Sequence, residues 1–365
     1  MNTVVTPVQP KPSSSSASPH TSTACLSHTA HPRSSPLPAP NELRALFPLS
    51  PGAQLQIKRT RERLRRRMEE SEGPPIAIVG PCSIHCETAA LEYAERLLSL
   101  QTRLADRVQL VMRAYFEKPR TTVGWKGFLY DPDLDGSDDL PRGIARARKL
   151  LVELSELGVP LATEILDPLT APYFDDCLSW VAIGARTSES QIHRQLASNL
   201  PCPVGFKNGT DGSILAAAQA IQSAAAPHVH LGIDDEGRIA LLRSTGNATC
   251  HLVLRGGSNG PNFSAAHVSQ AAHELRSLGV RPQLLIDCSH QNSGKDHRRQ
   301  PEVARQVMLQ LGQSHVDVMG LMIESHLHSG RQEVHAPRAY GVSVTDGCID
   351  FATTEQLLLD LAEQS

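Results

Sequence analysis

The strongest constraint in this sequence is a rhythm that begins at residue 76. Short, continuous apolar runs alternate with longer stretches of helical periodicity. The runs occupy residues 76–80, 108–115, 160–165, 180–186, 203–208, 251–257, 283–290 and 320–326. Helix-like segments lie between several of them, at 89–104, 143–157 and 265–278. A strand that is apolar at every position has both faces covered, as in a parallel sheet wrapped by helices. Eight such runs predict an α/β fold, a (β/α)8 TIM barrel spanning residues 76–365.

Two segments depart from the rhythm. Residues 229–242 read as two strands joined by Asp-Asp-Glu-Gly, a β-hairpin inserted at about 228–247, ahead of the sixth barrel strand. Residues 41–75 form an N-terminal arm, with Asn41 a candidate helix cap. Residues 53–70 read as a charged helix. Its arginines (Arg59, Arg61, Arg63, Arg65, Arg66, Arg67) share a solvated surface with Glu62, Glu69 and Glu70. Arm and hairpin serve either as edge cover or in assembly and regulation. Residues 1–40 are rich in Ser, Thr and Pro and contain no Asp or Glu, the composition of a disordered tail. Only Lys11 and Arg33 are basic there, which fits a transit peptide less well.

Bulk properties exclude other classes. The 365 residues carry a net charge of −3, from 35 basic and 38 acidic side chains. That balance lacks the basic excess of a nucleic-acid surface. The longest apolar runs are of strand length, so no membrane span is expected. The eight cysteines are scattered, and no apolar leader marks secretion. A cytoplasmic chain with reduced thiols is therefore expected. Cys82 and Cys86 are spaced C-x3-C, without the second close pair of a zinc finger.

In barrels of this kind the active site lies at the C-terminal ends of the strands. Here those ends carry Cys82, Arg113 with Lys118 and Arg120, then Glu164, Arg186, Lys207, Arg255, His290 and Glu324. Any one of them alone is as well explained by a salt bridge. Their recurrence points to a shared site. Convergent Arg and Lys in excess, with Glu164 the obvious counter-charge, call for anionic ligands such as phosphates and a carboxylate. Cys82, His290 and Glu324 form a plausible divalent-metal set, with Asp346 a fourth ligand.

These residues sit in longer strings that resemble type I 3-deoxy-D-arabino-heptulosonate 7-phosphate (DAHP) synthases. The strings are Gly80-Pro-Cys-Ser-Ile-His85, residues 112–127, Ala182-Ile-Gly-Ala-Arg-Thr187, residues 203–212, Leu254-Arg-Gly-Gly257, Asp287-Cys-Ser-His290 and Met322-Ile-Glu-Ser-His326. The resemblance runs from about residue 41 to near the C-terminus, with the motifs in family order. It implies condensation of phosphoenolpyruvate with erythrose 4-phosphate and water to DAHP and phosphate, the first step of the shikimate route. It also implies one divalent ion (Mn2+, Fe2+, Co2+ or Zn2+) on Cys82, His290, Glu324 and Asp346. Arg113, Lys118, Arg186, Lys207 and Arg255 would surround phosphoenolpyruvate. Arg120 with Thr121 would hold the erythrose 4-phosphate end, and Glu164 would position the first substrate and water. Lys118, Glu164 and His290 are the catalytic candidates, Lys118 as a proton donor whose pKa neighbouring cations would lower. An aromatic amino-acid inhibitor and a homodimer or homotetramer are further implications. The inhibitor-binding segments correspond to residues 170–173 and 200–202, here containing Pro172 and Pro201. Cys86 stands where the family commonly has an acid, a second thiol able to compete for soft metals. Two alternatives differ at specific residues. A sister synthase using arabinose 5-phosphate typically carries Lys-Ala-Asn-Arg where this chain has Lys118-Pro-Arg. A silent sugar-phosphate sensor would not need all four metal positions filled.

Overall fold

The structure is a computed structural model that describes residues 35–70, 73–311, 318–334 and 338–364. The tail expected at 1–40 therefore lies almost wholly outside the described residues. Every apolar run named above overlaps a barrel strand. The strands are β1 (Ile76–Gly80), β2 (Gln109–Arg113), β3 (Leu161–Glu164), β4 (Trp180–Ile183) and β5 (Val204–Lys207), followed by the pair β6 (Val229–Ile233) and β7 (Ile239–Arg243). β8 (Cys250–Leu254), β9 (Leu284–Asp287) and β10 (Val318–Glu324) complete the set. Eight of them close into a barrel in the order β1-β10-β9-β8-β5-β4-β3-β2, and all its pairs are parallel. β6 and β7 form the separate antiparallel hairpin, joined through Asp234–Gly237 as the sequence predicts.

Two helices precede the barrel, α1 (Pro40–Leu46) and α2 (Pro51–Glu69). The outer layer contains α3 (Glu87–Leu104), α4 (Leu140–Leu157), the short α5 (Ala171–Phe174), α6 (Gln191–Asn199), α7 (Leu215–Ala225), α8 (Ala265–Ser277), α9 (Gln300–Met308) and α10 (Phe351–Gln364). No helix among the described residues is long and apolar enough to cross a membrane. The larger apolar cluster lies between strands and helices and includes Leu97, Leu150, Leu154 and Leu358. A smaller one fills the barrel interior, with Ile76, Ile78, Val111, Tyr115, Ala162, Trp180, Ala182, Val253, Leu285 and Met322. Side chains alternate along a strand, so each of these residues belongs to the inward-facing row.

The interior cluster also contains Leu64 and Met68 of α2, both fully buried. The arm therefore places an apolar stripe across the N-terminal mouth of the barrel. Its arginines divide. Arg65 pairs with Glu62 (2.7 Å) and Glu69 on the helix surface. Arg61 instead donates to the carbonyls of Leu178 (2.8 Å) and Asp175 (2.5 Å). The helix is thus docked as well as solvated. The expected cap at Asn41 is corrected: the cap lies two residues earlier, at Ala39, and α1 begins at Pro40. Glu42 accepts from the Ala39 backbone N–H at 2.8 Å, and Pro40 supplies the preset φ of a first helical turn. The Asn41 N–H donates to the carbonyl of Asp235 (2.9 Å), which ties the arm to the hairpin turn.

Truncating an interior side chain that closes the barrel bottom leaves a cavity. Leu64→Ala is expected to lower unfolding free energy by about 2–5 kcal/mol in urea titrations. A loss below about 1 kcal/mol would show that α2 is surface cover rather than core.

Candidate active site

The inward-facing row continues one step beyond the apolar interior and becomes charged. Two residues after Val111 comes Arg113, after Ala162 Glu164, after Gly205 Lys207, after Val253 Arg255, after Leu285 Asp287 and after Met322 Glu324. The top of the barrel is therefore a buried ionic layer with three cations and three anions. Strand register brings its members together. Gly80 pairs with Glu324 and Val79 with Met112, so the β1, β10 and β2 ends adjoin.

Arg113 is fully buried, reaches Glu324 at 3.1 Å and lies 4.0 Å over the Tyr115 ring. Lys207 reaches Glu164 at 2.9 Å and Asp287 at 3.9 Å. Burial disfavours both charges of the Lys207–Glu164 pair. Their mutual attraction wins, holding Lys207 above and Glu164 below their ordinary values. Gly184 makes room for this pair, since a Cβ there would stand 2.8 Å from Glu164 Oε1. Arg255 differs from the other two cations: it is 8 % exposed, and no carboxylate among the described residues lies within ion-pair distance. Burial pushes its pKa down, outweighing the longer-range pull of Asp287, Glu164 and Glu324.

Above this layer is a cavity of about 310 Å³, lined by Arg113, Lys118, Arg120, Thr121, Glu164, Arg186, Lys207, Arg255, His290 and Asp346. Every substrate-binding and catalytic candidate named from sequence borders it. Arg186 donates to Thr121 Oγ1 at 2.9 Å across the mouth. Arg120 Nε donates to the carbonyl of Trp125 at 2.6 Å. The loop carrying Lys118, Arg120 and Thr121 closes through the Lys118 N–H to Lys126 carbonyl bond (2.8 Å). Gly127 (φ 110°) lets that loop turn, because a Cβ there would stand 2.2 Å from the Phe116 carbonyl oxygen. Lys126 points away, 5.6 Å over the Tyr130 ring.

Three of the four expected metal ligands converge: donor atoms of Cys82, Glu324 and Asp346 all lie within 4.8 Å of one another. His290 is outside that trio but borders the same cavity. Its Nδ1 lies 2.9 Å from Asp287 and 2.8 Å from Ser289 Oγ, which leaves Nε2 as the atom for a ligand. A thiolate with two carboxylates and an imidazole suits a divalent transition ion. Burial pushes the Cys82 thiol up to about 11, with Glu324 adding to the shift, so metal binding would have to displace that proton. Cys86 turns elsewhere, its Sγ 3.2 Å from Thr88 Oγ1. The seven cysteines among the described residues are free thiols.

One expectation is corrected. Lys118 does not have a lowered pKa. Burial pulls it down, but Cys82, Glu324 and Asp346 together pull it above its ordinary value. Two residues were overlooked from sequence. Asp287 anchors both Lys207 and His290, and its signal was the step from Leu285 to a charge two positions later. Glu117 is buried and accepts from the backbone N–H groups of Leu166 (3.1 Å) and Asp167 (3.2 Å). It thereby ties the β2 loop to the β3 loop.

An eight-stranded parallel barrel with a cation-lined cavity beside a thiol–carboxylate cluster has the architecture of a barrel enzyme. The chain belongs to the DAHP synthetase I family, whose pattern matches residues 58–359. It is 50 % identical over 328 residues to the Tyr-sensitive phospho-2-dehydro-3-deoxyheptonate aldolase of Escherichia coli (strain K12), covering 89 % of this chain and 92 % of that protein. It is 45 % identical over 325 residues to the Phe-sensitive enzyme of the same organism (88 % and 93 % covered). Among solved structures, the phospho-2-dehydro-3-deoxyheptonate aldolase of Francisella tularensis SCHU S4 superposes with a TM-score of 0.89 at 42 % identity. That match covers 91 % of this chain and 98 % of that one.

Glu117 generates a pH prediction. Burial pushes its carboxyl from 4.5 up to about 7. A carboxyl with a raised folded pKa binds its proton more tightly when folded, so its stabilising contribution is present below about 4.5 and is lost as pH rises through about 7. Relative to Glu117→Gln, the wild type should lose up to about 3 kcal/mol between pH 5 and 8, read from urea midpoints. A constant difference across that window would contradict the shift.

Proposed function

We infer that this chain is a 3-deoxy-7-phosphoheptulonate synthase. It condenses phosphoenolpyruvate with erythrose 4-phosphate and water, yielding DAHP and phosphate, the first step of aromatic amino-acid biosynthesis. Family membership supports the reaction, and the buried, unpaired Arg255 at the cavity floor carries the site assignment. A desolvated guanidinium with no carboxylate within ion-pair distance among the described residues is suited to an anionic ligand.

In this reading phosphoenolpyruvate lies deep, its carboxylate and phosphate neutralised by Arg113, Lys118, Arg186, Lys207 and Arg255. Erythrose 4-phosphate lies outward, its phosphate on Arg120 and Thr121. A divalent ion on Cys82, Glu324, Asp346 and His290 would supply Lewis acidity toward the aldehyde oxygen. The methylene carbon of phosphoenolpyruvate forms a bond to the aldehyde carbon, and Lys118 gives a proton to the oxygen that becomes an alkoxide. Water adds at the adjacent carbon, oriented by Glu164, and the carbon–oxygen bond to phosphate breaks. Asp287 holds the His290 ring and Lys207 in place, so it is a positioning residue.

The relatives' sensitivity to single aromatic amino acids supports an effector site here as well. A cavity of about 790 Å³ between α2 and the loops carrying Leu200, Pro201, Cys202 and Asn247 adjoins one of the implied inhibitor segments. We assign the chain to the cytoplasm as a homodimer or homotetramer. The hairpin supports assembly: on one face it exposes Val229 (52 %), Leu231 (75 %), Ile239 (84 %) and Leu241 (59 %). Such a contiguous apolar face is suited to burial against another copy.

A phosphate-release assay with both substrates tests the reaction. Chelation should abolish release and Mn2+ should restore it, whereas no release with fresh metal would favour the sensor. Replacing erythrose 4-phosphate by arabinose 5-phosphate should remove most of the rate. Cys82→Ala and Lys118→Met should each lower kcat by roughly 100-fold or more. Near-normal turnover of Lys118→Met would exclude it as proton donor. Leu231→Glu should shift the chain to a smaller assembly in light scattering, and an unchanged mass would remove the hairpin from the interface.

A further inference from the structure

One cation at the cavity mouth is left without a task by these assignments. Lys295 lines the cavity together with Arg120, Thr121, Arg186 and Asp346. It belongs to the turn after β9, whereas Arg120 and Thr121 follow β2 and Arg186 follows β4. It therefore reaches the mouth from a different wall.

Three observations separate Lys295 from an ordinary solvated lysine. First, its charge has no ion-pair partner. Among the described residues no carboxylate lies within ion-pair distance of it; Asp287 and Asp296 are engaged, with His290 at 2.9 Å and with Arg298 at 2.8 Å, and Asp346 interacts with it only at longer range. Second, its position is built. Lys295 has φ 61°, and its N–H donates to the carbonyl of His290 at 2.6 Å, while His290 itself has φ 51°. Two non-glycine residues in the left-handed region, joined by one hydrogen bond, fix the lysine relative to a ligand of the candidate metal centre. Third, the neighbouring cations have donors already committed. Arg120 gives Nε to the Trp125 carbonyl at 2.6 Å, and Arg186 gives Nη2 to Thr121 Oγ1 at 2.9 Å. A terminal phosphate carries nearly two negative charges and three acceptor oxygens, so it accepts donors from more than one wall of the mouth.

We propose that Lys295 binds the phosphate of the aldose substrate, completing the outer anion site from the β9 wall. This rests on the reading above that Arg120 and Thr121 mark the aldose-phosphate end. The fixed link to His290 means that the phosphate contact and the candidate metal ligand are set by one turn.

The test is steady-state kinetics of the metal-loaded enzyme with Lys295→Met and Lys295→Arg. One charge-assisted hydrogen bond from an exposed lysine at the cavity mouth predicts that Lys295→Met raises KM for erythrose 4-phosphate about tenfold, with KM for phosphoenolpyruvate changed less than about twofold. Lys295→Arg should recover most of the loss. Inorganic phosphate, used as a competitive inhibitor against erythrose 4-phosphate, should weaken by a similar factor in Lys295→Met. An unchanged KM for the aldose phosphate overturns the proposal. So does an equal rise for both substrates. A change confined to Mn2+ affinity would instead show that Lys295 acts only on Asp346. Absence of turnover in the wild type would fault the underlying site reading, a result distinguishable from all of these.

Discussion

The structure depends on one electrostatic constraint, the burial of a ring of charges at the top of the barrel. Arg113, Lys207 and Arg255 face Glu164, Asp287 and Glu324 where a plain barrel would continue with apolar side chains. Isolated buried charges are prohibitively costly, so each needs a partner. Two of the cations have one, Arg113 on Glu324 and Lys207 on Glu164 with Asp287 nearby. Arg255 has none among the described residues, and the cavity above the layer holds further cations. The cavity thus carries more cationic than acidic side chains. Two phosphorylated substrates, one also a carboxylate, answer that imbalance.

The same layer joins the two chemistries of the site. Glu324 belongs to the candidate metal cluster and also pairs with Arg113, which lines the substrate cavity. Asp287 contacts His290 and lies within ion-pair distance of Lys207. Residues of the candidate metal centre and the cations of the cavity are therefore not separate sets. A change in one alters the field at the other, which explains why Lys118, read from sequence as one cation among several, is held protonated by its anionic neighbours. The arm and hairpin act at the other end and the flank. α2 plugs the barrel bottom with Leu64 and Met68, and the hairpin presents apolar side chains outward.

Much of this was legible in the sequence. Continuous apolar runs marked all eight barrel strands, because a parallel sheet covered on both faces cannot use alternation. The hairpin was marked by its Asp-Asp-Glu-Gly turn. Strand ends exposed Arg113, Glu164, Lys207, Arg255 and Glu324, because a charge that terminates an apolar run is conspicuous. Asp287 was harder to see. It lies inside the motif that ends in His290, and its pairing with Lys207 spans 80 residues of sequence. Lys295 falls in a polar turn with no apolar run to mark it. The cap at Ala39 was missed because the side chain that completes it, Glu42, lies inside the helix.

By itself, the sequence determined the barrel, the order of its strands along the chain and the identity of the polar residues at their ends. Those features follow from local patterns of hydrophobicity and from strings of residues a few positions long. Only the tertiary structure decided which charges meet. It set Arg113 against Glu324 and left Arg255 without an acid. It brought Cys82, Glu324 and Asp346 within 4.8 Å of one another. It also gave Lys118 anionic neighbours and turned Lys295 into the cavity mouth. These are consequences of parallel register and barrel closure, which juxtapose residues from opposite ends of the chain, and pairwise electrostatics depends on distance in space rather than along the sequence.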